Sequence, residues 1–181
     1  MCCGMNKNDD VLTGKHCYLR PVREEDASFV VELRTDSQRA RFISQSVASV
    51  NEQVQWIKSY QQRHQAGKEH YFIACSHDGC AWGTSRLYDI DGFVCTGGSW
   101  VMLAGAPLGV ALEAYLLPMR FAFSVLGLTL MHIEVRRANT RVWRWHESCG
   151  ARFVREDAMY RYYDYMPAAY PLAERRVYAL I

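Results

Sequence analysis

The sequence predicts an α/β chain, an α+β mixed sheet with helices on both faces. Three observations carry that expectation. The chain has 181 residues, 50% hydrophobic and 22% charged, which suits one domain with a proper core. Its middle reads as a meander: "YFIACS", the turn "HDG", "CAWGTSRLYDI", then "GFVCTGGSWVML". Its second half alternates helix, strand, helix, strand, an order that lays helices against a sheet. The expected organisation is a loose leader over 1–15, a single domain over 16–167, and a tail over 168–181 with no assigned element.

Each element has a local reason. "CYLRPV" is a short strand, and "REEDASFVVELR" is a helix with an acidic first turn and Arg34 near its end, as the macrodipole prefers. Phe29, Val30 and Leu33 give that helix an inward face. Ser49 and Glu52 have capping-box spacing and open a second helix to about His64, with Val54, Ile57 and Tyr60 or Gln61 inward and Gly67 at its end. The paired glycines of "CTGGSW" mark a bulge in the third meander strand. A long helix runs from about Gly109 to Leu126, with Leu112, Tyr115, Leu116, Met119 and Phe123 in phase. Pro118 should kink or split it. "LMHIEVRR" reads as a buried strand. The next helix starts at Asn139, whose side chain can cap it, and ends at Gly150. "ARFVRED" and "RYYDYM" are the last strands.

Bulk properties disfavour several roles. A net charge of +2 without a long basic run disfavours nucleic acid as the partner. The N-terminal "MCCGM" lacks the basic region and apolar run of a signal peptide. The apolar stretches are broken by Glu113, Pro118 and Arg120 and are read as falling short of a membrane span. The seven cysteines are odd in number and include no C-x-x-C. They read as free thiols in a reducing cytoplasm, with no metal site.

Two places carry chemistry. In "SWVMLAGAPLGVALEA" a strand meets a helix through a glycine-containing loop, so orphan N–H groups and the positive dipole end form an anion site. A plain β–α turn has the same local pattern. The second place is the helix after Asn139, where Val142, Trp145, His146 and Cys149 share one face. His146 therefore lies in the apolar stripe. Taken alone, such a histidine is more often a satisfied core residue than a functional one.

Taken together, four segments resemble the GNAT superfamily of acetyl-CoA-dependent N-acetyltransferases. They are "LRPVREEDASFVVELRTD", "GTSRLYDID", "PLGVALEAYLL" with "FAFSVLGL", and "HIEVRRANTRVWRWHESCGARF", in the family's order, from about Tyr18 to Asp157. The resemblance implies a GNAT-like acyl-CoA N-acyltransferase fold with a mostly antiparallel central sheet. It implies acetyl-CoA as co-substrate, no metal, and acetyl transfer to a primary amine by direct attack through a tetrahedral intermediate. Leu108, Gly109, Val110 and Ala111 would hold the pyrophosphate, although Ala106 stands where the family has Gln or Arg. "GSWVML" should part from "LMHIEV" so that pantetheine lies between them, with Val101 and Leu103 as backbone partners and the N–H near Val101 as oxyanion donor. Asn139 and His146 are further co-substrate contacts.

His146 occupies the slot where many members carry the tyrosine that protonates the departing thiolate, so it is expected as general acid or hydrogen-bond donor. Imidazolium would serve near neutral pH. Glu134 is the candidate base, with a structural carboxylate as the equal alternative; His132 shares its strand face. Arg34, Asp36, Arg39 and Arg41 are candidates for contacts to an anionic acceptor. "PLGVALE" and the histidine look similar to amino-sugar-nucleotide N-acetyltransferases of the pseudaminic-acid type. Ribosomal-protein N-terminal acetyltransferases share the layout, and a non-catalytic acyl-CoA-binding module is the other class. The expected partner is a small-molecule amine, with the protein a monomer or homodimer away from membranes.

Overall fold

The computed structural model describes residues 11–36, 42 and 49–181. Eight strands form one sheet in the order β1-β2-β3-β4-β5-β6-β8-β7. They are β1 (Leu12–Thr13), β2 (Cys17–Pro21), β3 (His70–Ser76), β4 (Ala81–Asp91), β5 (Val94–Met102), β6 (Leu130–Arg136), β7 (Arg152–Glu156) and β8 (Tyr160–Tyr165). Every neighbouring pair is antiparallel except β5 and β6, which run parallel. The parallel pair needs a crossover, and a helix supplies it.

Among the described residues, five α-helices cover the sheet: α1 (Ala27–Thr35), α2 (Val50–Gln65), α3 (Leu108–Arg120), α4 (Thr140–Ser148) and α5 (Tyr170–Tyr178). β3 shows why both faces are dry. Its Tyr71, Ile73 and Cys75 pack with Val30, Ile57 and Tyr60 of α1 and α2. Phe72 and Ala74 point the other way, into the larger cluster with Leu112, Leu116 and Met119 of α3. That is the period of two expected of a strand, with apolar residues on both phases. Each fully buried side chain of this size stabilises the fold by about 1.5–3 kcal/mol.

α3 differs from its expectation. Pro118 does not split it; the helix runs unbroken to Arg120 and passes into a π-helical turn, Phe121–Val125. Proline removes one ladder bond. Burial of Val110 and of every residue from Leu112 to Met119 outweighs that loss. By length and hydropathy the 18 residues Leu108–Val125 do match a membrane span, contrary to the sequence reading. Here they are the mostly buried central helix under the sheet.

Glu113 in α3 is fully buried. Its carboxylate accepts the N–H groups of Lys15 (2.8 Å), His16 (2.7 Å) and Cys17 (3.0 Å) and the hydroxyl of Tyr178 (3.1 Å). One side chain thus ties the turn between β1 and β2 to α3 and α5. Residues 11–15, within the stretch read as a leader, are therefore joined to the domain. The stretch read as a tail carries α5, whose Ala173 and Val177 are buried.

Smaller differences concern caps and burial. Ser49 and Asn139 stand at the N-caps of α2 and α4, but neither side chain makes a cap bond. β6 alternates buried and exposed, so it is a half-covered strand. Gly150 adopts φ +89° after α4, as expected for a left-handed stop.

Candidate active site

The seam of the sheet opens where β5 leaves β6. Parallel pairing runs from Val94↔Leu130 to Gly97↔Ile133 and goes no further. The cause lies on the other edge of β5. Arg86 pairs with Gly98 and Thr84 with Val101, so Ser99 and Trp100 together oppose Ser85. Ser99 sits at φ +51°, and the Thr84 hydroxyl donates to its carbonyl at 2.8 Å. This is the bulge that the paired glycines signalled, and a bulge bends its strand. The Trp100 indole donates to the Ala111 carbonyl at 2.9 Å, fixing the bent strand to α3.

A cavity of about 150 Å³ fills the opening, lined among others by Val101, Tyr115, Glu134, Asn139, His146 and Tyr165. It passes between the sheet faces. On β6, Met131, Ile133 and Val135 face the α3 side, and Glu134 is exposed on the other. His146, on α4, reaches the cavity from the α3 side.

His146 is 6% exposed. Its Nδ1 lies 3.1 Å from the Tyr165 hydroxyl, which lies 2.8 Å from the Tyr115 hydroxyl. The Tyr165 hydroxyl can also donate to the His146 carbonyl, at 3.0 Å. Nε2 has no partner among the described residues, and His146 lines the cavity. Burial depresses the imidazole from 6.5 to about 4. The expectation of an imidazolium at neutral pH therefore fails: His146 is neutral at pH 7, with one ring proton. Burial raises both phenols above their ordinary value, so they too keep their protons.

The other expected residues fall as follows. Val101 lines the cavity, and its carbonyl oxygen lies close to Gly83 of β4. The Leu103 N–H donates to the Trp82 carbonyl at 2.7 Å, also toward β4. Backbone direction alternates along a strand, so Trp100 and Met102 turn their backbone groups toward the gap instead. At α3 the N–H groups of Leu108, Gly109 and Val110 have no acceptor among the described residues. Ala111 differs, because its N–H already donates to the Pro107 carbonyl at 3.0 Å. Gly109 is there for close approach: an added Cβ would lie 2.6 Å from the His16 ring. A side chain at Gly109 would thus collide with His16.

Asn139 lines the cavity, its carbonyl accepting the N–H groups of Val142 and Trp143. Glu134 lines the cavity too, and its charge, after burial, helps to raise the Tyr88 phenol. His132 lies on the paired part of the seam, away from the cavity lining, bonded to Asp164 at 2.7 Å. Arg39 and Arg41 lie outside the described residues. The sequence pattern places Tyr165 on a strand and Tyr115 on the inner face of α3, with no role for either hydroxyl. The alternation of Tyr163 and Tyr165 against Tyr162 and Asp164 could have placed Tyr165 inward.

The family profile described as "Acetyltransferase (GNAT) domain" matches residues 16–152. The chain belongs to the GNAT acetyltransferase family. Its members are N-acetyltransferases, and the mixed sheet with a single parallel seam is their fold. This acetyltransferase is similar over most of its length to the solved structure "Apo FdhC- a nucleotide-linked sugar GNAT". The two share 33% identity over 94% of this chain and 97% of that one, with a TM-score of 0.84. Mycobacterium smegmatis RimJ in complex with CoA-disulfide shares 19% identity over 94% and 91%, with a TM-score of 0.76. Spermidine N-acetyltransferase from Vibrio cholerae, with CoA and spermine, shares 15% over 87% and 99%, with a TM-score of 0.71. The last two share the fold. No curated protein sequence matches the chain.

Proposed function

We propose that this chain transfers an acetyl group from acetyl-CoA to the primary amine of a nucleotide-linked amino sugar by direct attack. One observation carries the acceptor class: the likeness over most of the chain, at 33% identity, to a nucleotide-linked sugar GNAT. The free N–H groups of Leu108, Gly109 and Val110, with the dipole of α3 behind them, suit a pyrophosphate. The gap beyond Gly97 and Ile133 suits an extended pantetheine, with the backbone of Trp100 and Met102 in reach of its amides.

His146 then meets the leaving sulfur. Its carbonyl already accepts the N–H groups of Cys149 and Ala151, each at 3.0 Å. The Tyr165 proton is therefore better placed on Nδ1, which leaves the imidazole proton on Nε2. A neutral Nε2–H donates a hydrogen bond to the sulfur as negative charge develops there. Glu134, across the gap, takes the amine proton directly or through water. Burial raises the thiol of Cys149 on the inner side of α4, so it is a poor nucleophile and no acyl-cysteine step is needed. The described cysteines are free, as suits a reducing cytoplasm.

The test is release of free thiol from acetyl-CoA across nucleotide-linked amino sugars, polyamines and N-terminal peptides. The expected result is the highest kcat/KM on a nucleotide-linked amino sugar. A higher value on a peptide or polyamine, or no turnover with any amine, would overturn the assignment.

A further inference from the structure

Arg136 closes β6 and lines the same cavity, yet it is treated unlike the arginines around it. Arg86 bonds to the buried Glu69 at 2.6 Å. Arg137 donates to the Asp157 carbonyl at 3.1 Å, and Arg161 meets Glu147 at 3.2 Å. Arg152 and Arg155 have Asp164 and Asp157 within 4 Å. The Arg136 side chain makes no hydrogen bond or ion pair with any described residue. Its Nε is sealed from solvent and unpaired. Its guanidinium rests on the Tyr160 ring, 5.1 Å from the centroid. Tyr160 is its cross-strand partner on β8.

A part-desolvated guanidinium without an acceptor is costly. A stacking ring fixes its plane but supplies no acceptor, so the fork is pre-oriented for a planar or bidentate anion. Position says which substrate would bring that anion. Arg136 stands two residues beyond Glu134 on β6, hence on the same face, across the sheet from α3. The free N–H groups of α3 lie on the other side, so the anion belongs to the acceptor and not to the CoA pyrophosphate.

We propose that Arg136, held by Tyr160, is the phosphate-reading subsite for the acceptor, taking the diphosphate that links nucleoside to amino sugar. This rests on the acceptor class proposed above. It adds that recognition is through the phosphates, with the amine directed past Glu134 into the seam.

The experiment is calorimetric titration of thymidine diphosphate into the full-length protein saturated with CoA, so that the α3 site is filled. Wild type should bind, and Arg136→Gln should bind about 10- to 100-fold more weakly, the size of a lost charge-assisted pair. Arg136→Lys, which keeps the charge and loses the fork, should fall between. CoA affinity, titrated separately, should be equal in wild type and Arg136→Gln. The subsite is overturned if wild type ignores the diphosphate, if thymidine binds as tightly, or if Arg136→Gln binds the diphosphate normally. It is also overturned if that variant loses CoA affinity to the same extent. Arg136-dependent diphosphate binding in a protein that does not acetylate nucleotide-linked sugars would instead sink the acceptor assignment and leave the subsite standing.

Discussion

Glu113 on α3 and His146 on α4 are both buried ionisable groups beside the same helix, but their surroundings differ. Glu113 has four donors on two oxygens, contributed by two segments far apart in sequence, Lys15–Cys17 and Tyr178. His146 has one ring nitrogen bonded to Tyr165 and the other without a partner among the described residues, beside a cavity. A saturated carboxylate has nothing left to offer a ligand, so its contribution is to the fold. An imidazole with a free nitrogen gains its missing partner only when something enters the seam. The comparison separates scaffold from site more sharply than burial does, since burial is nearly the same for both.

The largest expected effect breaks the saturated side. Glu113→Ala leaves the N–H groups of Lys15, His16 and Cys17 without their acceptor. Breaking a buried charged network of this kind costs about 4 kcal/mol. Urea unfolding should show the midpoint fall by a matching amount, with the remaining folded protein still binding CoA. A loss below about 1 kcal/mol would mean that the N-terminal turn and α5 are held by something else.

His146→Phe tests the unsaturated side, with two readouts. Losing a donor to the leaving sulfur should lower kcat by about 10²-fold, with the KM for acetyl-CoA little changed. His146→Tyr should recover part of the rate. The second readout is stability against pH. Folding depresses the imidazole from 6.5 to about 4. Between those values the unfolded chain binds a proton that the native one refuses. The stability is thus complete above pH 6.5 and is lost as pH falls toward 4, by about 3 kcal/mol in all. The Phe variant should lack that slope. A Phe variant with normal kcat and the same slope as wild type would remove His146 from both roles.

The sequence shows the scaffold better than the site, for a physical reason. The meander, α1, α2 and α4 announce themselves through hydrophobic period and punctuation, which are local. The stripe of Val142, Trp145, His146 and Cys149 even puts the imidazole on the correct face. What the imidazole does there depends on Tyr165, which arrives on a strand paired to β6 at Met131. No local pattern reports that meeting. Which backbone groups of β5 face the gap is set by the bulge at Ser99. The glycines announced the bulge without fixing its register. Gly109 was legible as a glycine that matters, but its neighbour His16 comes from the far end of the chain. The protonation state of His146 was misjudged for the same reason: desolvation is a property of the packed whole.

The smallest and most specific effect concerns the link between the two tyrosines and the histidine. Tyr165→Phe keeps the ring that packs in the core and removes only the hydroxyl between Tyr115 and Nδ1. Stability should fall by about 1 kcal/mol, the usual net value of one such bond. If that hydroxyl merely fills space, nothing else should change. If it donates to Nδ1 and so holds the proton on Nε2, its removal lets the imidazole proton move to either nitrogen and loosens the ring's orientation. The fraction of molecules with Nε2–H aimed at the sulfur then drops, and kcat should fall by about 10-fold with an unaltered KM for acetyl-CoA. Nitrogen NMR of the labelled imidazole reads the same event directly: an Nε2–H pattern in wild type, a mixture in the Phe variant. A wild-type spectrum with the proton on Nδ1 would invert the assignment. His146 would then face the cavity with a lone pair and serve as the proton acceptor for the amine, with Glu134 released from that role.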